Sequence, residues 1–260
     1  MLCNFWMSKP YIYITGASGF IGKNLLRKLQ KEKIACYGVS RKKINFKNSI
    51  KIKNYQEFMP KNNSVLVHLA ENNHVSYILK DDKNLIEFNK NTIRGILEKN
   101  WDHVIYISSV LASQKNNKLF YIKNKIECEK IVLDYGGTVL RMTNLYGPNM
   151  SKSNIFSDII KQLRNNNLIT LKNTKVKRDF LWVEDAVEAI ILSIKKRPKG
   201  IYNIASGKSI SIMKLAQLFL KNSENNSRKV LSMELKVKEP FINVNIDDTI
   251  KDLGWKPRTL

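Results

Sequence analysis

Tyr121 and Lys125 stand four residues apart in the segment Tyr121-Ile122-Lys123-Asn124-Lys125. On a helix that spacing puts both side chains on one face. An ordinary phenol gives up its proton only in alkali, and a neighbouring ammonium stabilises the phenolate. Such a pair can exchange a proton with a hydroxyl or carbonyl oxygen. By itself the spacing is common among amphipathic helices, so its meaning comes from its surroundings. Shortly before it, Ser108-Ser109 closes the apolar run Val104–Ile107. The carboxyl end of such a strand is where open α/β sheets bind ligands. Ser109 lies there just past the strand, with Ser108 as a strand-end hydroxyl that can satisfy backbone and Ser113 as a weaker rival further on.

A second constellation lies near the start. The apolar run Tyr11–Thr15 enters a turn with glycines at 16, 19 and 22, and apolar residues then recur at helical spacing: Phe20, Ile21, Leu25, Leu26 and Leu29. A strand–turn–helix of this kind holds a pyrophosphate. Glycine allows the tight turn and close approach of backbone N–H groups, and the helix N-terminus adds a positive dipole end. The spacing is G-x-x-G-x-x-G rather than the commoner G-x-G-x-x-G. The next strand ends Val39-Ser40-Arg41-Lys42-Lys43. An acidic residue there would accept the ribose hydroxyls of NAD, whereas Ser40 and Arg41 suit the 2′-phosphate of NADP. NADP(H) is favoured, with NAD left open.

These segments, taken with later ones, resemble the extended short-chain dehydrogenase/reductases, a group of nucleotide-sugar epimerases, dehydratases and reductases. The matching stretches are Thr15–Gly22, Val67-His68-Leu69-Ala70, Ser108-Ser109, Tyr121–Lys125, Arg141–Pro148, Arg178–Asp185 and Leu253-Gly254-Trp255-Lys256-Pro257. They follow the family order over nearly the whole chain. The resemblance implies a Rossmann-type α/β fold, a doubly wound parallel sheet with a smaller C-terminal lobe over the substrate. Residues 1–147, completed by about 176–204, would form the dinucleotide-binding domain; 148–175 and 205–260 would form the lobe.

The same resemblance implies roles. Ser109 would bond the substrate oxygen beside Tyr121, and Lys125 would also bond ribose hydroxyls. Gly16, Ser18, Gly19, Phe20, Ile21 and Gly22 would hold the cofactor, with Leu69 and Ala70 alongside it and His68 structural. Asn89 (or Asn91) falls near the catalytic centre. Asn144 and Arg178 align with residues that contact a sugar-nucleotide diphosphate. Glu129 fits a salt bridge, as do Asp179 and Asp185, and Tyr146-Gly147-Pro148 fits a turn shaping the nicotinamide pocket. Dehydratases carry an Asp-Glu pair after the hydroxyl residue; Val110-Leu111 stands there instead and speaks against dehydration. The interval of 12 positions from Ser109 to Tyr121 is about half the usual one, which obscures the identity of the substrate. The leading expectation is an NADPH-dependent 4-keto reductase of a nucleotide-linked sugar in a surface-polysaccharide pathway. The alternatives are an NAD-dependent nucleotide-sugar 4-epimerase and a non-catalytic dinucleotide-sensing or RNA-binding relative.

Positioning these residues requires alternating strands and helices. Strands are expected at Tyr11–Thr15, Ala35–Ser40, Val65–Leu69, Val104–Ser108, Thr138–Arg141, Phe180–Val183 and Gly200–Ile204, with a weaker one at Ile50–Lys53. Helices are expected at Gly19–Gln30, Leu85–Glu98, Leu119–Leu133, Asn154–Arg164, Glu184–Lys195 and Met213–Leu220. The polar stretch Lys221–Lys229 reads as a loop.

With 260 residues and 43% hydrophobic content, the chain can bury a full core. No apolar run approaches the ~20 residues of a membrane span, and the N-terminus lacks a secretory pattern. Met7-Ser8-Lys9-Pro10 reads as a natural start, with residues 1–6 as an extension or an upstream misassigned start. At the other end, the chain stops at Leu260, where family members run on into a further helix. Cys3, Cys36 and Cys128 show no metal-ligand spacing and suit a reducing cytoplasm. The net charge of +23 comes from lysines scattered along every segment beside 29 asparagines, a solvated basic surface rather than a nucleic-acid patch. Its field still attracts an anionic nucleotide. No membrane partner is expected, and a homodimer is left open.

Overall fold

A computed structural model describes residues 10–71, 83–114, 119–165, 168–223, 228–233 and 243–258. The proposed start at Met7 lies outside them, as do Cys3 and Leu260.

In β1 (Tyr11–Thr15) the side chains alternate between two cores. Ile12 and Ile14 join one apolar cluster, whereas Tyr13 joins another on the opposite face. This is the period of two that a strand covered on both sides must show. β4 (Ser64–His68) and β5 (His103–Ser109) are buried along their whole length. With β2 (Cys36–Ser40), β3 (Ser49–Lys51), β6 (Thr138–Met142) and β10 (Gly200–Ile204) they make a seven-stranded sheet. Its order is β10-β6-β5-β4-β1-β2-β3, with every pair parallel. The chain order reverses between β1 and β4, where Thr15 pairs with His68. That switch point is where a doubly wound sheet opens a ligand crevice.

Helices cover both faces. The cluster containing Ile12 and Ile14 takes Leu25, Leu26 and Leu29 from α1 (Phe20–Lys31). It also takes Ala186, Ile190 and Ile194 from the long apolar helix Val183–Lys196. On the other face, Ile93 and Ile96 of α2 (Lys83–Leu97) pack with Cys128 and Val132 of α3 (Phe120–Asp134). The central strands and most helices fall within a residue or two of the sequence expectation.

A third apolar cluster lies where the smaller lobe is expected, and it also takes Tyr146 and Phe180, from stretches expected in the dinucleotide-binding domain. α4 (Ile155–Asn165) and α6 (Ile212–Lys221) pack with each other and with strands around Phe156, Ile159, Ile169, Phe180 and Leu215; the intervening helix Val183–Lys196 is α5. β7 (Asn144–Tyr146), β9 (Lys177–Trp182) and β11 (Ser209–Ser211) form one small sheet. β8 (Leu168–Lys172) and β12 (Lys229–Met233) form another. Four of these strands, β7, β8, β11 and β12, were not expected, and Lys229 opens β12 rather than closing a loop. β9 also begins earlier than the expected strand at Phe180. Trp255 anchors the C-terminal segment: it is buried, and its Nε1 donates to the Asp185 carbonyl at 3.0 Å.

Candidate active site

A cleft of about 920 Å³ opens at the carboxyl ends of β1, β4 and β5. One wall is the glycine turn, with Gly16, Gly19, Phe20, Ile21 and Gly22; the other carries Ser109, Tyr121 and Lys125. Asn144 and Arg178 border it from the smaller lobe, and Leu69 lies on its floor side with Glu71. The structure thus gathers the acid–base candidates, the phosphate turn and the anion-binding candidates on one cavity.

The turn is built to let something approach it. Gly16 has φ +67, and a Cβ there would sit 2.8 Å from the Ala70 nitrogen. A Cβ on Gly22 would sit 2.7 Å from the Ala17 Cα and the Gly16 carbonyl oxygen, so the helix approaches the turn more closely than any side chain allows. α1 begins with no side-chain cap and no acidic residue in its first turn. Its first N–H groups and positive dipole end are therefore free to serve an anion. A dinucleotide pyrophosphate fits this donor set.

Ser109 ends β5 and caps the 3₁₀ turn Val110–Ser113, its Oγ accepting from the Leu111 N–H at 3.3 Å. Ser113 turns back on the Val110 carbonyl, at 2.8 Å. Ser108 points to the other side, donating to Glu129 Oε1 at 2.5 Å. Glu129 also takes two bonds from Arg141, at 2.9 and 2.6 Å, which realises the salt bridge read for it. Among the two aspartates read as ion-pair partners, Asp185 pairs with Arg258 at 2.6 Å. Asp179 instead accepts the Ser206 N–H at 2.9 Å.

α3 explains how a lysine becomes buried. It turns Asn124, Lys125 and Glu129 inward beside Ile122, Cys128 and Val132. Lys125 Nζ lies 2.5 Å from Glu71 Oε2 and 2.9 Å from the Ile107 carbonyl oxygen, with the Tyr121 ring centre at 5.8 Å. Burial works against the ammonium, but the Glu71 carboxylate and the Tyr121 side chain more than offset it, so its pKa is raised. Glu71 Oε1 accepts from Tyr106 at 2.7 Å and Asn124 at 2.9 Å. Asn124 Oδ1 in turn accepts from Asn89 at 3.1 Å. Asn89 therefore braces this network rather than lining the main cleft. Sequence reasoning named Lys125 but missed Glu71 and Asn124. A carboxylate one residue past the strand-end segment Val67–Ala70 was the available signal.

His68 is buried and bonds Thr15 Oγ1 at 2.8 Å. Burial, then the nearby Lys125 charge, pull its pKa down to about 4 against the opposing Glu71 carboxylate. It is a neutral structural ring, as read.

Ser18, Ser40, Arg41, Ala70 and Asn89 do not line the main cleft. Ser40 is buried, donating to Ser18 Oγ at 2.9 Å and accepting from the Lys42 N–H at 3.1 Å, so the two serines tie the glycine turn to the end of β2. Arg41, Ala70 and Asn89 line a smaller cavity of about 320 Å³ with Lys53, Tyr55 and Glu71. Glu71 borders both cavities. Arg178 likewise borders a third cavity, of about 740 Å³, that Lys152 and Lys172 share. Asn144 donates to the Asp179 carbonyl at 3.0 Å, so its amide is partly committed to holding β7.

Comparison with known proteins places the chain among nucleotide-sugar enzymes. Protein CapI of Staphylococcus aureus is 27% identical, covering 95% of this chain and 94% of its own. A dTDP-4-dehydro-6-deoxyglucose reductase of Escherichia coli is 23% identical, covering 96% and 93% respectively. In fold, the chain is similar to a UDP-N-acetylglucosamine 4-epimerase from Methanobrevibacter ruminantium M1, solved with UDP-N-acetylmuramic acid. That likeness has a TM-score of 0.80 at 20% identity, over 97% of this chain and 94% of the other. The model of the NAD dependent epimerase/dehydratase family matches residues 12–205, a span that runs from β1 through the glycine turn, Tyr121 and Lys125 to the end of β10. On that match, which spans most of the chain's length, this protein belongs to the NAD dependent epimerase/dehydratase family.

Proposed function

We propose that this protein is an NADPH-dependent reductase of a keto group on a nucleotide-linked sugar. The observation that carries the reading is the convergence of Ser109, Tyr121 and Lys125 on a cleft whose opposite wall is the phosphate turn. A reduced nicotinamide, when bound, supplies hydride to the carbonyl carbon. Tyr121 donates its proton to the carbonyl oxygen as that carbon is reduced, and Ser109 hydrogen-bonds the same oxygen. Lys125 orients Tyr121 and offers an N–H to ribose hydroxyls. The glycine turn and the α1 N-terminus hold the pyrophosphate. Arg178, with Asn144, takes the diphosphate of the substrate, a task suited to a planar guanidinium. Val110 and Leu111, which line the cleft after Ser109, bring no acid or base for removing water.

The choice of NADPH rests on Arg41, exposed beside Tyr55 and Lys53, where a 2′-phosphate would find cations. The end of β2 carries no acidic residue to compete for the ribose. The buried free Cys36 and Cys128 suit a reducing cytoplasm. A second reading, an NAD-using 4-epimerase, draws on the fold likeness to a UDP-N-acetylglucosamine 4-epimerase. The test is a panel of UDP-, dTDP-, GDP- and CDP-linked keto sugars with NADPH. Consumption of NADPH on one of them supports reduction. Interconversion of sugars by protein that is purified with nicotinamide bound, and that needs no added NADPH, supports epimerisation instead.

A further inference from the structure

Glu71 is the feature that the reading above leaves without a task. It lies between the main cleft and the smaller cavity, and its side chain is as deeply buried as that of Lys125, each about 6% exposed. A buried ion pair contributes little net stability, because desolvating both charges offsets their attraction. Something other than stability must account for the placement.

The bonds are directional. Glu71 Oε2 takes Lys125 Nζ at 2.5 Å, while Oε1 takes Tyr106 Oη and Asn124 Nδ2. Asn89 steadies Asn124 from α2. Lys125 makes a second bond, to the Ile107 carbonyl. Two of its three N–H donors are thereby committed among the described residues, and its position is defined before any ligand arrives.

The two charges of the pair oppose each other. Among the described residues, the groups that face it include His68 from the end of β4, Tyr106 from β5, and Tyr121 and Cys128 from α3. Burial holds His68 neutral, with its pKa near 4, and pushes the Cys128 thiol up to about 12. Burial, and next the Glu71 carboxylate, push the Tyr106 phenol far up. Glu129 and Arg141, the neighbouring buried ions, cancel each other. The ammonium beside Tyr121 thus acts with a carboxylate at its back. An unpaired ammonium would favour the phenolate strongly; a paired one favours it less.

We propose that Glu71 is a positioning residue that clamps Lys125 beside Tyr121 and offsets its charge, which suits a site that gives a proton to a carbonyl oxygen. The inference rests on the reductase reading for its functional meaning, although its electrostatic content stands apart from it.

The test is a spectrophotometric titration of phenolate in the near ultraviolet, made on wild type, Tyr121→Phe, Glu71→Gln and the Glu71→Gln/Tyr121→Phe double variant. Subtracting each Tyr121→Phe protein from the parent that keeps its tyrosine isolates one phenol. Glu71→Gln keeps the shape but removes the charge and one of the two acceptor oxygens, and while Lys125 stays charged it shifts the isolated midpoint down by about one pH unit. Glu71→Asp draws the carboxylate back by a methylene and moves the midpoint the same way by less, which keeps the test open if the glutamine variant does not fold. An unmoved midpoint with a lowered melting temperature would make Glu71 structural only and overturn the proposal. Turnover of keto sugars with NADPH is scored separately. A shifted midpoint without reductase turnover removes the substrate assignment and leaves the role of Glu71 standing.

Discussion

Ser108 and Ser109 leave β5 in opposite directions, one to Glu129 and the other to the rim of the cleft. Consecutive strand residues must do this, so two identical side chains receive two different tasks. Ser109→Ala is expected to lower kcat by roughly 10²–10³-fold, the scale of losing one donor to a developing oxyanion, with only the modest fall in melting temperature that losing its bond to the Leu111 N–H entails. Ser108→Ala should do the reverse. It leaves Glu129 with one donor fewer in a buried site, costs about 1–3 kcal/mol, and retains most of the turnover. Steady-state kinetics and thermal melts on the two variants separate the roles, and equal kinetic losses would reject the assignment of Ser109.

Tyr121→Phe removes only a hydroxyl. Lys125 keeps its bonds to Glu71 and Ile107, so the cofactor side of the cleft is expected to persist. Turnover should fall to background while the dissociation constant for the dinucleotide, read by protein fluorescence, stays nearly constant. Retained turnover would mean that another group handles the proton.

Arg41→Asp exchanges a cation for an anion at the end of β2. Binding of NADPH should weaken by roughly tenfold or more, the scale of one charge-assisted bond, whereas NADH binding changes little or improves. Titrating both dinucleotides into the same variant checks this. Equal losses would place the phosphate elsewhere.

The cofactor wall was legible because its signals are local. Ile12 and Ile14 alternate with Tyr13, three glycines follow at regular spacing, and Leu25, Leu26 and Leu29 return at helical period. Each of these is decided within a dozen residues. The smaller lobe was harder. β8 and β12 mix Leu and Val with Lys, Thr and Ser, and they become a sheet only by pairing with each other across a long stretch of chain. Glu71 illustrates the same limit at the site. Nothing near it in the sequence tells that it closes on Lys125; the register of β4 against β5, where His68 meets Tyr106, brings them together. Asp179, read only as an ion-pair partner, shows the same limit: its Oδ1 takes the backbone N–H of Ser206, 27 residues away in the chain.

Arg178→Ala tests the far end of the cleft. Arg178 belongs to β9, which pairs with β7 and β11, so the backbone that carries it is held on both sides. Truncation should therefore leave the fold intact and remove mainly a cation shared by two cavities. The KM for the nucleotide-sugar substrate is expected to rise about tenfold with kcat largely preserved, as for an interaction made equally in ground and transition states. An unchanged KM would exclude this arginine from diphosphate binding.

Gly22 offers a test that needs no substrate. Its absent side chain leaves room for the Ala17 Cα and the Gly16 carbonyl, both 2.7 Å from where a Cβ would stand. These are backbone atoms, so no rotamer change can relieve the clash, and α1 must move away from the turn. Gly22→Ala is expected to cost about 1–3 kcal/mol, read as a lower melting temperature. The displacement also carries the α1 N-terminus out of line with the pyrophosphate, so dinucleotide affinity should fall in the same variant. Gly19→Ala is the informative contrast. A Cβ there meets only the Gly16 carbonyl, at 3.1 Å, and the cost to stability should be smaller. If Gly22→Ala binds the dinucleotide as tightly as wild type, the close approach of helix and turn serves packing alone.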